Sequence, residues 1–392
     1  MSIKLTDKQF LMLSQFAYLD FTTEEDFEIN FKGKTLAETA DILIKDVGKV
    51  FRDSGGLDDS EFKQLLKDIL YGDAEADTNN DGSTKYLGNN GELRSLELLA
   101  FAYKDTSDGF VAYAFKDKDS EDTLFAFRGS ESHPEVGSGA VDWIDNIIGY
   151  GIVNTSFQYE DVKNFVSTHK SSGQTYVTGH SKGGANAAYA CAAVDGVTGI
   201  AFDGPGIGQT LTIEDAKRLE KSGLINCIAQ NDIVGPLLFH PEHMKFCLQW
   251  KDFIGDGKLD GTGIADGHYT QAFRFDEHGY IIEAQRTLKS SIFGRLSKLI
   301  WYAKEYEFDP NKAKAVMTQL FCDDGDVISD EKSIIYEGHK LIKDIEELAS
   351  SGEEDAKELC KWAKDEFKIE LEKLAKNSII EAFSHVAATK KD

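Results

Sequence analysis

One stretch constrains this chain more than any other: Gln174-Thr175-Tyr176-Val177-Thr178-Gly179-His180-Ser181-Lys182-Gly183-Gly184 reads as a buried strand running into Gly-x-Ser-x-Gly and then a helix. The pattern describes a nucleophile elbow. In such a turn the serine sits on a sharp strand-to-helix junction in a strained backbone conformation, and small residues two before and two after let strand and helix pass closely. Ser181 is therefore the candidate nucleophile. The residues from Ala185 to Ala193 are mostly alanine, as a helix packed tightly on a sheet requires. The competing reading is a glycine-rich turn bearing an ordinary exposed serine.

A chain of 392 residues, 41% hydrophobic and 28% charged, is globular and long enough for one large decorated domain or two smaller ones. No apolar run reaches the length of about 18 residues that a membrane span needs. The N-terminus, Met1-Ser2-Ile3-Lys4-Leu5-Thr6-Asp7-Lys8, lacks the apolar stretch of a secretory signal, so the expected location is the cytoplasm, with export by a route that needs no Sec signal as the alternative. A net charge of −25 opposes nucleic acid and anionic membrane surfaces by long-range repulsion. Transient contact with neutral or zwitterionic lipid stays open. The cysteines Cys191, Cys227, Cys247, Cys322 and Cys360 are odd in number and contain no Cys-x-x-Cys pair, so they read as reduced thiols, and neither a metal nor a cofactor is expected.

Residues 1–94 read as a helical region packed on a core, opening with Thr6-Asp7 as a cap before Phe10, Leu11, Leu13 and Phe16 at helical spacing, and with a second helix from Ser60 to Leu70. The loop Asp77-Thr78-Asn79-Asn80-Asp81-Gly82-Ser83 copies half of a calcium-binding loop, but Gly88 stands where a bidentate Glu is required, so it reads as a solvated turn. From Ser95 the pattern predicts a short helix, Leu96 to Tyr103, then strands at Phe110–Phe115 and Thr123–Arg128. Apolar runs at Thr198–Phe202 and Leu224–Ala229 then alternate with helical patterns, which is the grammar of an α/β sheet. Residues 95–288 form this expected catalytic core. Residues 289–392 return to helices, where Ala356, Cys360, Ala363, Phe367, Leu371 and Leu374 give one apolar stripe suited to core packing or a dimer face. No oligomeric state follows from it. The acidic loop Asp323, Asp324 and Asp326 reads as solvated.

Active sites in α/β sheets gather at the C-terminal ends of the strands. A serine nucleophile needs a base for its proton and an acid to orient that base, in chain order Ser, Asp or Glu, His. Asp232 is the preferred acid because it follows the later strand and precedes Ile233-Val234, which shield it from water; Asp203, in a Gly-Pro-Gly turn, is the alternative acid or a brace for the loop. His268 is the preferred base, opening an expected hairpin that runs to Phe275, turns at Asp276-Glu277-His278-Gly279 and returns through Tyr280-Ile281-Ile282. His240 and His243, flanking Pro241, are its rivals. His278 lies in the turn and His180 reads as structural. Backbone N–H groups of Lys182 and Ser130 are the expected oxyanion hole, and the stretch from Ser132 to Asn146 reads as a lid.

Together, Leu124-Phe125-Ala126-Phe127-Arg128-Gly129-Ser130, Val141-Asp142-Trp143-Ile144-Asp145-Asn146, the elbow and Asn231-Asp232-Ile233-Val234 resemble class 3 (fungal-type) lipases. The Gly-His-Ser-Lys-Gly-Gly elbow, Phe202-Asp203-Gly204-Pro205-Gly206 and the late His268 are more similar still to their bacterial Mbeg1-like relatives. The resemblance covers residues 95 to 285. It implies an α/β-hydrolase fold, a triad of Ser181, Asp232 and His268, an oxyanion hole at Ser130 and Lys182, and carboxylic-ester or lipid substrates. Class 3 lipases commonly carry Leu where Lys182 stands, so a cationic side chain at the mouth would alter acyl-chain or head-group preference. Alternative expectations are an exported lipid-cleaving toxin or effector, and a non-catalytic binding module on the same fold.

Overall fold

The computed structural model describes residues 3–19, 22–45, 59–71, 91–104, 109–129, 158–250, 266–309, 311–313, 315, 316 and 331–350, with separate positions at 357, 360, 361, 364, 365, 368, 372 and 376. The calcium-like loop, Ser130, the lid stretch, the acidic loop, Cys322 and most of the C-terminal stripe lie outside the described residues.

Among the described residues, five helices precede or open the core: α1 (Asp7–Phe16), α2 (Glu24–Asn30), α3 (Leu36–Lys45), α4 (Asp59–Tyr71) and α5 (Gly91–Ser95). Thr6 starts α1 as expected, in a capping box with Gln9 that satisfies two amides otherwise left open at a helix start. Strands β1 (Glu97–Lys104), β2 (Phe110–Lys116) and β3 (Thr123–Phe127) follow, then α6 (Tyr159–His169), β4 (Thr175–His180), α7 (Lys182–Ala193), β5 (Val197–Phe202), α8 (Ile213–Lys221), β6 (Ile225–Ala229) and β7 (His243–Cys247). Helices α9 (Leu288–Phe308) and α10 (Glu331–Ser350) follow.

The strands lie across the sheet in chain order, β1 to β7. Strands β1, β2 and β3 are antiparallel, and β3 through β7 are parallel. The pleat sends alternate side chains to opposite faces. Val111, Tyr113 and Phe115 of β2, with Leu124 and Ala126 of β3, join the core under the N-terminal helices, where Phe10, Leu11, Leu13 and Phe16 of α1 are buried. Their neighbours Phe110, Ala112, Ala114, Phe125 and Phe127 join the opposite core with Val162 and Phe165 of α6 and the alanines of α7. A third cluster joins Ile233, Val234, Leu237 and Phe239 to Trp301 of α9 and Leu341 of α10. This mixed, mostly parallel sheet with helices on both faces is the α/β-hydrolase fold.

Two expectations are corrected. The segment Leu96 to Tyr103 is not a helix: from Glu97 it is strand β1, because its ladder with β2 outweighs the helical preference of its Leu and Ala residues. The hairpin after His268 is reduced to short 3-10 turns at Asp266–His268 and Thr270–Ala272 and a single bridge, Phe275 to Ile281, closed at Asp276–Gly279. Phe273 instead pairs with Gln249 beyond β7, which fixes this segment against the sheet edge.

Candidate active site

Ser181 leaves β4 and enters α7 with φ 57° and ψ −127°, a region that side chains disfavour. Its N–H donates to the Phe202 carbonyl, 2.9 Å away, which ties the turn to the end of β5. A Cβ on Gly179 would overlap the Gly183 carbonyl, and one on Gly183 would overlap the Phe127 carbonyl. Strand and helix therefore meet backbone to backbone, and the serine hydroxyl is left at the sheet's C-terminal edge.

Ser181 Oγ lies 2.9 Å from His268 Nε2. His268 Nδ1 lies 3.1 Å from Asp232 Oδ1. Asp232 is fully buried and accepts the amides of Val234 and Gly235 at 3.1 and 2.6 Å. Burial alone would raise its pKa, but the facing His268, by charge and hydrogen bond, and the two amides outweigh it and hold the carboxyl below its ordinary value. The site thus keeps an ionised acid behind the imidazole without exposing it to water.

Gln249, 1% exposed, joins the loops that carry the two partners: its carbonyl oxygen accepts the Asn231 N–H at 2.8 Å, and its amide donates to the Gly267 carbonyl at 3.1 Å. Gly267 packs so closely that a Cβ there would come 2.8 Å from the Asp232 backbone nitrogen. These residues carried no signal in the sequence, since a lone Gln or Gly in a loop has no periodicity to mark it.

His180 is buried beneath the site. Its Nε2 lies 2.8 Å from the His268 carbonyl oxygen and its Nδ1 2.9 Å from the Tyr18 hydroxyl. The Gly129 N–H donates to the same hydroxyl. A carbonyl only accepts, so Nε2 carries the hydrogen and Nδ1 accepts from Tyr18. Burial first, and the neighbouring His268 second, lower the His180 pKa to about 3, which keeps the ring neutral.

The remaining candidates fall elsewhere. Asp203 is fully buried at φ 48°, accepts the Ala229 N–H at 2.8 Å, and is not the carboxyl bonded to His268. His240 is buried in its own pair with Glu242, 2.7 Å away, with Nε2 on the Leu237 carbonyl at 3.0 Å. His243 opens β7 exposed, and His278 is exposed in its turn. Lys182 is the first residue of α7, so its N–H stands at the positive end of the helix beside the Ser181 hydroxyl. Among the described residues one group of metal-type ligands converges, His180, Asp203 and His268. Every imidazole nitrogen in it already has a protein partner.

A family model for Mbeg1-like proteins matches residues 90–321, more than half of the sequence. The chain belongs to the Mbeg1-like family. No curated protein matches this Mbeg1-like chain in sequence. Among solved structures it is similar to a Rhizomucor miehei lipase–propeptide complex, at 15% identity and a TM-score of 0.27 over 41% of this chain and 59% of that one. It is also similar to a mutant of MDLA from Penicillium cyclopium, at 18% identity and 0.26 over 39% and 64%. A structure described as a fungal lipase aligns at 14% identity and 0.33, over 71% of this chain and 90% of that one. The Mbeg1-like chain spans less than two thirds of the first two.

Proposed function

We propose that this Mbeg1-like protein is a serine hydrolase that cleaves carboxylic esters, with lipid or other acyl esters as its substrate class. The observation that supports it is the unbroken hydrogen-bonded run from Ser181 through His268 to buried Asp232, set on an elbow. In this reading His268 Nε2 takes the Ser181 proton as Oγ attacks the ester carbonyl carbon, and Asp232 stabilises the imidazolium that forms. The Lys182 N–H and Ser130 hold the developing oxyanion. His268 then gives its proton to the departing alcohol, and a water activated by the same imidazole cleaves the acyl-serine. The motifs that resemble class 3 lipases support the lipid-like substrate class.

The test is labelling with a fluorophosphonate probe together with turnover of short- and long-chain p-nitrophenyl esters. Wild type labels and turns over, and Ser181→Ala, His268→Ala and Asp232→Ala each lose at least about a thousandfold in kcat/KM. A folded wild type that neither labels nor turns over, with or without detergent, sinks the proposal.

A further inference from the structure

Two carboxyl groups meet at the C-terminal edge of the sheet, and the proposed reaction uses one. Asp203 ends β5 and Asp232 lies just past β6; both are fully buried, and they are neighbours, since a Cβ on Gly235 would lie 2.8 Å from Asp232 Oδ2 and 3.0 Å from the Asp203 Cα. Two carboxyl groups buried side by side away from water are not both ionised, so one of them carries a proton. Asp232 faces three N–H donors, those of His268, Val234 and Gly235, which is the environment of an ionised group. Asp203 accepts one, from Ala229, and its Oδ2 meets no N–H or hydroxyl donor. That proton therefore resides on Asp203.

The backbone points the same way. Asp203 adopts φ 48°, and the next residue is clamped by Asn226, whose amide donates to the Gly204 carbonyl at 2.7 Å and whose oxygen accepts the Gly204 N–H at 3.2 Å. A non-glycine residue held at positive φ, with its carboxyl buried beside a like group, breaks two local rules at once, and such breaches concentrate at functional sites.

We propose that Asp203 is a positioning residue: as a neutral acid it donates a hydrogen bond to ionised Asp232 and holds that carboxylate in the orientation that directs His268 at Ser181. The titratable groups facing it are Asp232, His180, His268, Cys227 and Cys247. Burial, and then the charge of Asp232, both favour its neutral form. No proton is transferred in this role. The role in turnover rests on the hydrolase reading above, whereas the location of the proton does not.

The experiment therefore has two readouts on the full chain. Infrared spectra of wild type and Asp203→Asn at neutral pH should differ by the C=O stretch of one protonated carboxyl, present in wild type. In kinetics, Asp203→Asn keeps a donor toward Asp232 and an acceptor toward Ala229, so kcat/KM stays within about threefold and the acidic limb of the pH profile does not move. Asp203→Ala removes the donor and lowers kcat at least about tenfold, with KM within about twofold. Absence of the infrared difference, or an Asn variant as impaired as Ala or with its acidic limb displaced, overturns the proposal. A band present in a protein that turns over no ester leaves the proton on Asp203 and removes the hydrolase reading instead.

Discussion

His180 shows how much a single buried ring can settle. With Nε2 donating to the His268 carbonyl and Nδ1 accepting from Tyr18, a second proton on Nδ1 requires the buried Tyr18 hydroxyl to give up its donor role and accept instead. Its folded pKa of about 3 lies below the value of 6.5 for an unfolded histidine. Between those values the unfolded chain binds a proton that the folded chain does not, so stability is present above pH 6.5 and lost as pH falls toward 3. The loss amounts to about 1.4 kcal/mol per pH unit. Asp203, whose pKa is raised by burial and by Asp232, has the opposite sign, but it is common to wild type and a His180→Gln variant. The difference between their urea-unfolding curves thus isolates His180: wild type should lose its advantage steadily between neutral and moderately acid pH, and parallel curves would contradict the assignment. The sequence marked His180 as structural. It did not reveal Tyr18, because a tyrosine far upstream of the elbow becomes its neighbour through tertiary packing alone.

The elbow was readable as an element because its chemistry leaves few options: glycines where backbones touch, alanines where a helix lies on a sheet. The central strands were readable for a related reason, since runs such as Leu124-Phe125-Ala126-Phe127 bury both faces. At the edges that logic fails. Five of the eight residues of strand β1 are Leu, Ala or Glu, which favour helices, and the segment becomes a strand because β2 is there to pair with it. Strand β7, His243-Met244-Lys245-Phe246-Cys247, is short and half-exposed, with no run to mark it. The same backbone contact that made the elbow readable gives a prediction. In Gly183→Ala the new methyl overlaps the Phe127 carbonyl, which is backbone and cannot rotate away. Strand β3 and α7 must separate, at a cost of about 1–3 kcal/mol. The shift also moves Ser181 against His268, so fluorophosphonate labelling should slow at least about tenfold even in the folded fraction. A variant that melts and labels like wild type would show that the elbow tolerates a wider turn than its geometry implies.

At the scale of the whole molecule, the family match and the folded unit do not have the same boundaries. Residues 90–321 contain Ser181, Asp232 and His268, yet one face of the sheet is covered by chain that precedes them. Helix α1 packs across β3, β4 and β5, and Ser14 of that helix bonds to Thr178 at 2.8 Å, three residues before the nucleophile. Phe10, Leu11, Leu13 and Phe16 each bury a side chain that contributes about 1.5–3 kcal/mol. Without them Val111, Tyr113, Phe115 and Leu124 would face water as a contiguous apolar patch, a condition that drives association. Removal of the N-terminal chain also takes Tyr18 from His180, and removal of α10 takes Leu341 and Ile345 from the cluster around Trp301. A fragment of residues 90–321 should therefore aggregate on expression and fail to label, although every proposed catalytic residue is in it, while the full chain stays soluble and labels. Co-expressing residues 1–89 should recover part of the soluble fraction, since the face they cover is apolar and preformed. A soluble fragment that labels at the full-chain rate would mean that the sheet face tolerates water and that the N-terminal helices serve some purpose other than completing the core.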